Sequence, residues 1–367
     1  VLEKDVAKQK VYFVIPSFAG GGAERVVISY ANSIDPNRYE ATIVVGNAAG
    51  PLISEVDPDL RIINLNSARM RNALLPLAKL LRRDRPRCVV STMAYVNFCV
   101  AILRPVVSRR TLFIFREANT PNAAPAKNSR KALYRILYRF LYPRADLVIC
   151  PSKLIASTLK KITSLPEDLF CVLNNPVDVV RYREAAYTTR RQAGSGRRFV
   201  AAGRLSPQKG FSTLIDAMSE LPEEDHLTIF GTGPLKEDLK QYAMDKGISR
   251  RILFAGFEMN PWAWFAGADA FLVSSHWEGM PNVALEALAC GTPVISTPEA
   301  GGIHELARQA SDGAVTVAVA GAAFNDALRN VKERDIKEPH HSLLPLAYER
   351  DHAVATFQQV LRHCTRF

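Results

Sequence analysis

The apolar residues of this chain come in short continuous runs rather than in alternation, and that feature most narrows the folds open to it. Residues 11–16 (VYFVIP), 41–45 (ATIVV), 88–92 (CVVST), 111–115 (TLFIF) and 146–150 (DLVIC) are rich in β-branched and aromatic side chains. A strand that is apolar on both faces has to be covered on both faces, as in a parallel sheet sheathed by helices. Between the runs lie stretches with helical spacing at 22–33, 72–83, 127–142 and 153–162. The pattern is then interrupted by a polar, Arg- and Gly-containing segment, 188–198 (TTRRQAGSGRR), and restarts. The second series predicts strands at 199–202, 227–230, 252–254, 270–274 and 294–297, with helices opening near Gly210, Pro234, Pro261 and Asn282. A last helix is expected over 343–363, with Leu346, Val354, Phe357 and Val360 on one face.

A length of 367 residues suits two domains of this kind. The predicted division is an N-terminal Rossmann-like domain (1–178), a linker (179–198), a second Rossmann-like domain (199–342) and a C-terminal helix (343–367) that packs back on the first domain. The fold class is α/β, and ligands of such domains gather at the carboxyl ends of the strands.

Charge separates the chain more sharply than composition does. The net charge is +11, yet residues 69–144 alone hold 17 Lys and Arg against two acids, Asp84 and Glu117. A block of that density suits an anionic partner: a phosphorylated substrate, lipid head groups or nucleic acid. Within it, 127–142 (KNSRKALYRILYRFLY) interleaves Arg130, Lys131, Arg135 and Arg139 with Leu133, Ile136, Leu137, Phe140 and Leu141, as a basic amphipathic helix on an anionic bilayer does. The plainer alternative is that its apolar side packs on the sheet. The longest apolar stretch, around 96–103, is far shorter than a membrane span. The opening residues, VLEKDVAKQK, have no secretory apolar core, and Cys88, Cys99, Cys150, Cys171, Cys290 and Cys364 stand singly, with no C-x-x-C pair. A cytoplasmic chain, peripherally attached to the inner membrane face, is the expectation.

Three loops carry the chemistry. Gly20-Gly21-Gly22 follows the first strand and opens the first helix, where glycine lets a ligand approach the backbone and the helix start favours an anion. It is not the G-x-G-x-x-G dinucleotide pattern. In the second series, 203–210 (GRLSPQKG) places Arg204 and Lys209 on one strand-to-helix loop, a fork and a point charge suited to a diphosphate. The densest constellation is 278–286 (EGMPNVALE): Glu278 precedes a helix, and Glu286 lies inside its apolar body. An unpaired acid there is costly, so Glu286 requires a ligand or a partner. Other clusters have bland readings. Asp57-Pro58-Asp59 is a turn rather than a metal-binding D-x-D; His340-His341 lacks further ligands; Trp262, Trp264 and Trp277 pack; Cys150 and Ser152 have no histidine to activate them.

Taken in order, the Gly-rich first loop, NPVD at 175–178, GRLSPQKGFSTLIDA, IFGTGPLKEDL, EGMPNVALEALACGTPVIST and GGIHEL resemble glycosyltransferase family four. The resemblance spans nearly the whole chain and is densest over 200–306. It implies the GT-B architecture, two Rossmann-like domains facing each other across a cleft, and a retaining, nucleotide-sugar-dependent enzyme. Carried over by position, Arg204 and Lys209 would hold the donor diphosphate and stabilise the leaving group. Glu286 would bind the ribose, and Glu278 would contact the donor sugar. Met280 and the backbone of Asn282 and Val283 would line the phosphate or sugar, Gly21, Gly22 and Gly203 would approach the diphosphate, and Gly231 and Gly233 would shape the base pocket. Many members carry a histidine in the N-terminal domain, whereas here every histidine lies at 226 or beyond. In its place stands Arg116-Glu117-Ala118-Asn119, similar to a Ser-Glu-Arg-Asn subgroup, which makes Arg116, Glu117 and Asn119 candidates for acceptor or sugar contacts.

The resemblance further implies a UDP-linked hexose or N-acetylhexosamine donor, a glycan or lipid-linked acceptor in polysaccharide or lipopolysaccharide synthesis, and neither cofactor nor metal. Two alternatives stay open: a nucleic-acid-binding protein using residues 69–144, although aromatic residues do not interleave as a stacking platform there, and a nucleotide-sugar epimerase on the same fold.

Overall fold

The computed structural model describes residues 8–121, 128–187, 195–335 and 340–364. The predicted helix start at Lys127 and residues 188–194 of the predicted linker lie outside them. The chain divides into two compact units, one made of 1–176 with 350–367 and the other of Val177–Glu349.

The first unit is built on seven parallel strands: β1 (Gln9–Ser17), β2 (Tyr39–Asn47), β3 (Arg61–Asn64), β4 (Cys88–Thr92), β5 (Leu112–Arg116), β6 (Leu147–Cys150) and β7 (Phe170–Val172). Their order is β3-β2-β1-β4-β5-β6-β7, with Val11 of β1 beside Ala41 on one side and Cys88 on the other. The continuous apolar runs are explained by where alternate residues go. Tyr12 and Val14 enter the core on one face of the sheet, Val11, Phe13 and Ile15 that on the other, all at most 1% exposed. Helix Lys153–Thr163 shows how local chemistry sets an element's ends: Ser152 Oγ accepts from the Ile155 amide at 3.3 Å, and Ser164 leaves the helix in the left-handed region at φ 58°. Such an N-cap contributes ~1 kcal/mol.

The last helix, Arg350–Cys364, belongs to this unit, its Phe357 ring 4.5 Å from that of Tyr30 and 6.2 Å from that of Phe13. It begins at 350 rather than at 343. Pro345 holds an extended backbone, Leu346–Tyr348 form only a 3-10 turn, and Glu349 is again extended. Leu346, expected on the packed face, is exposed.

The second unit repeats the design with six parallel strands: β8 (Arg198–Ala202), β9 (His226–Phe230), β10 (Ile252–Gly256), β11 (Ala270–Val273), β12 (Val294–Ser296) and β13 (Val315–Val317), in the order β10-β9-β8-β11-β12-β13. Again alternate residues diverge, Val200 to one core and Phe199 and Ala201 to the other. The span expected as linker from 179 starts instead with a helix, Val179–Ala186, which belongs to this unit. Tyr182 and Ala186, one turn apart, are buried, and Tyr182 stacks on Trp262 with ring centroids 4.2 Å apart. In each sheet the strand order reverses once near the middle, between β1 and β4 and between β8 and β11. Those are the places where loops diverge and leave a crevice.

Candidate active site

In the second unit β8 and β11 are neighbours, so the loops leaving their carboxyl ends lie side by side. Those are the loops that carry GRLSPQKG and the start of EGMPNVALE. Lys209 closes a 3-10 turn, Pro207–Lys209, and its Nζ forms an ion pair with Glu278 Oε1. Glu278 also accepts from Ser275 Oγ at 3.0 Å and from Gln208 Nε2 at 3.4 Å, and Gln208 donates to the Trp277 carbonyl at 2.9 Å. Backbone and side chain stitch the two loops together: the His276 amide donates to the Gln208 carbonyl at 2.8 Å and Ser274 Oγ to the Lys209 carbonyl at 2.9 Å. Glu278 is 6% exposed. Arg204 is exposed on the same loop and makes no ion pair or hydrogen bond among the described residues.

The helix after Glu278, Asn282–Ala289, opens at Pro281 with no side-chain cap. Asn282 and Val283 form its half-buried first turn, and from Ala284 onward it is buried. Met280 is buried before it, its thioether end over Gly302. Glu286 is 5% exposed and accepts from Trp262 Nε1 at 3.1 Å. One partner of the acid inside VALEALAC is therefore an indole, from a tryptophan expected only to pack. Trp262 does both, since it is 1% exposed and stacked on Tyr182.

Glycines bring the loop backbones together. Gly231, at φ 127°, lies so close to the loop after β8 that a Cβ there would sit 1.9 Å from the Gly203 carbonyl oxygen. Gly233 packs in the same way on Leu205, whose amide donates to the Thr232 carbonyl at 2.9 Å. GGIHEL has a role its sequence did not disclose. Gly301, at φ 64°, would place a Cβ 2.2 Å from the Glu278 carbonyl, and the Gly302 amide donates to the Gly279 carbonyl at 2.9 Å. The glutamate loop rests on these two glycines.

At the β1–β4 crevice of the first unit, Gly21 caps helix Gly22–Ser33 with no side-chain hydrogen bond. The Glu24 carboxylate folds back over Gly21, close enough that a Cβ there would meet its Oε2. Burial raises the Glu24 carboxyl above the ordinary carboxylate range, opposed by its own backbone hydrogen bond and by the charge of Arg116. Met93, just past β4, holds φ 71° and ψ 136°, a strained conformation for a side-chain-bearing residue.

The Arg116–Asn119 segment divides three ways. Arg116 is 2% exposed and spans Thr92 Oγ1 at 3.1 Å and Asn175 Oδ1 at 2.6 Å, so the asparagine before NPVD's proline holds it in place. Burial pulls its pKa below that of an ordinary guanidinium. Glu117, equally buried, accepts from Tyr142 at 2.5 Å and Tyr138 at 3.1 Å, and Tyr142 in turn accepts from Asn97, which accepts from Ser91. Desolvation raises its carboxyl to about 7 against those hydrogen bonds. Asn119 is exposed in the loop beyond. The structure thus leaves Asn119 facing solvent and encloses Glu117 in the core.

The Asp59 amide donates to Asp57 Oδ1 at 2.9 Å, closing a turn, and Cys150 is fully buried. Among the described residues no group of three or more His, Cys, Asp and Glu could hold a metal ion, and no helix is long and apolar enough to cross a membrane.

Two parallel α/β units of this kind make up the GT-B architecture of glycosyltransferases. Residues 20–181 match the sequence profile described as Glycosyltransferase Family 4, and residues 190–343 the one described as Glycosyl transferases group 1. The chain belongs to that glycosyltransferase family. It is 27% identical over 309 residues to the N-acetylgalactosamine-N,N'-diacetylbacillosaminyl-diphospho-undecaprenol 4-alpha-N-acetylgalactosaminyltransferase of Campylobacter jejuni, covering 81% of this chain and 83% of that protein. Over 102 residues it is 40% identical to the lipopolysaccharide core biosynthesis glycosyltransferase LpsE of Rhizobium meliloti, 28% of this chain and 30% of that one. Its fold is similar to that of Anabaena HepE, solved in complex with UDP-glucose, with a TM-score of 0.76 at 18% identity over 97% of this chain and 100% of that one.

Proposed function

We propose that this glycosyltransferase moves a UDP-linked hexose or N-acetylhexosamine, with retention of anomeric configuration, to a glycan or lipid-linked acceptor in cell-surface polysaccharide or glycolipid synthesis. The observation that carries this reading is the pairing of Lys209 with Glu278 beside an unpaired Arg204, on loops that leave neighbouring strands. The bond to the departing diphosphate gathers negative charge as it breaks, and a preorganised cation beside it lowers the barrier. Diphosphate binding would exchange the carboxylate partner of Lys209 for a phosphate one and release Glu278 toward the sugar. Glu286, held by Trp262, would accept from the ribose hydroxyls. With these cations at the diphosphate, the reaction needs no divalent metal. The leaving diphosphate helps to deprotonate the acceptor on the same face of the sugar, without a covalent glycosyl-enzyme.

The lipid-linked acceptor is favoured by the diphospho-undecaprenol substrate in the name of the Campylobacter relative and by the lipopolysaccharide enzymes among the relatives. A chain acting on such an acceptor works at the cytoplasmic membrane face. Because the matches are to transferases, this reading outranks nucleic-acid binding and epimerisation. A thermal-shift screen of nucleotide sugars tests the donor, since a ligand of the native state raises Tm by mass action. Proton NMR of the product then reads the anomeric configuration. Saturable stabilisation by a UDP-sugar and an axial product from an axial donor are expected. An inverted product, or activity abolished by chelator, overturns the mechanism.

A further inference from the structure

Helix Asn128–Leu141 has two apolar sides, and only one of them is used by the fold. Tyr138 and Leu141 are buried in the core of the first unit, with Tyr134 and Leu137 packed beside them, and the Phe98 ring meets those of Tyr134 and Tyr138 edge-on. The plainer alternative, packing on the sheet, is thus met by those residues. Leu133, Ile136 and Phe140 are left out of it: they are 52%, 53% and 67% exposed. At ~100° per residue these three fall within about 60° of one another on the outer surface. A row of large apolar side chains turned to water is unusual on a soluble helix and marks a contact surface.

The charges around the row identify what it contacts. Arg130, Arg135 and Arg139 of the same helix are exposed, and the helix has no acid. The two acids of the 69–144 block are both withdrawn. Glu117 is buried, and Asp84 is taken up by Arg83 and the Tyr12 hydroxyl, its side chain only 11% exposed. No acid of that block is therefore offered outward beside the helix, whose own exposed side chains are apolar and cationic. A second copy of this chain, carrying the same +11, would be repelled. Nucleic acid would use the arginines and leave the leucine, isoleucine and phenylalanine in water. An anionic lipid bilayer satisfies both, with phosphate oxygens for the arginines and acyl chains for the apolar row.

We infer that the outer face of helix Asn128–Leu141, with Leu133, Ile136 and Phe140 as the inserting row and Arg130, Arg135 and Arg139 as its cationic border, docks the enzyme on an anionic bilayer. The inference deepens the lipid-linked reading of the acceptor and is independent of the donor assignment. It therefore stands or falls apart from nucleotide-sugar binding.

The experiment is flotation of the full chain with vesicles of phosphatidylcholine alone and of phosphatidylcholine with phosphatidylglycerol, at low and high salt. The wild type is expected on the anionic vesicles only. The Leu133→Ser/Ile136→Ser/Phe140→Ser variant should bind about tenfold or more weakly through lost apolar burial. Arg135→Gln/Arg139→Gln should lose about fivefold per cation and most of the salt dependence. Both should keep the wild-type Tm and donor-induced thermal shift, because none of these side chains is in the core. Equal binding of the serine variant and wild type, equal binding to neutral and anionic vesicles, or no binding at all would overturn the inference. So would a fall in wild-type oligomeric state, read by sedimentation velocity, on making the serine substitutions.

Discussion

Glu278 and Glu117 are a matched pair in everything but their partners. Each follows a strand of a parallel sheet, each is almost wholly buried, and each lies in a segment that resembles a family motif. Glu278 is held by a lysine on the adjoining loop, a partner that a phosphate can replace. Glu117 is held by two tyrosine hydroxyls rooted in the core, with Asn97 and Ser91 behind them. Equal burial therefore covers two different arrangements. What distinguishes the two is whether the partner is ionic and borne on a loop or neutral and borne on packed aromatic residues.

The sharpest way to break this contrast is in catalysis. Lys209→Ala or Arg204→Ala should lower turnover with a UDP-sugar by ~10² or more, the usual cost of removing an electrostatic contact to a developing charge. Glu117→Gln should change the same rate by less than about threefold, since its network is self-contained. Steady-state assays of the three variants would collapse the distinction if Glu117→Gln were as damaging as Lys209→Ala.

A second test sharpens it on the donor side. Glu286→Gln should raise the donor KM by about tenfold with a smaller change in kcat, through weakened hydrogen bonds to the ribose. Trp262→Phe keeps the ring stacked on Tyr182 but removes the indole donor to Glu286, and should raise KM by about fivefold, the worth of one hydrogen bond near 1 kcal/mol. A KM unchanged by both would remove Glu286 from the donor site. A KM raised by Glu286→Gln alone would show that the carboxylate needs no indole to orient it.

The smallest expected effect is on stability against pH. The Glu117 carboxyl lies at about 7 in the folded chain, above its ordinary value of 4.5, so between those values the folded state binds more protons than the unfolded one. Stability from this group is fully present below the lower value and is lost as pH rises through the upper one. Thermal melts from acid to neutral pH should show this decline in wild type and a flatter curve in Glu117→Gln. The variant should gain a few degrees in Tm on the alkaline side. Parallel curves for the two proteins would mean that Glu117 is ionised throughout.

Much of this molecule is legible without coordinates. Covered strands leave continuous apolar runs, so β1, β4, β8 and β11 can be placed to within a residue or two. The edge strands β3, β7 and β13 cannot, because three or four residues, none of them buried, make no run. The helix Val179–Ala186 is hidden in a stretch that reads as linker, since its main reason to be helical is the packing of Tyr182 on Trp262, 80 residues further on. Pro345 delays the last helix to Arg350 against an apolar spacing that favours an earlier start.

At the site, the residue types on the two loops of the second unit specify cations beside carboxylates, and glycines where backbones must touch. Those choices are local, because loop chemistry and backbone freedom belong to single residues. Pairing Lys209 with Glu278 takes the adjacency of β8 and β11, which are separated in sequence by two other strands. The same holds for turning Glu117 into the core, supporting the glutamate loop on Gly301 and leaving Leu133, Ile136 and Phe140 outside a helix whose other apolar side is buried. Helical spacing marks all of that helix's apolar residues alike. Only the packing of the sheet decides which of them it covers, because burial is a property of neighbours and not of the residue itself.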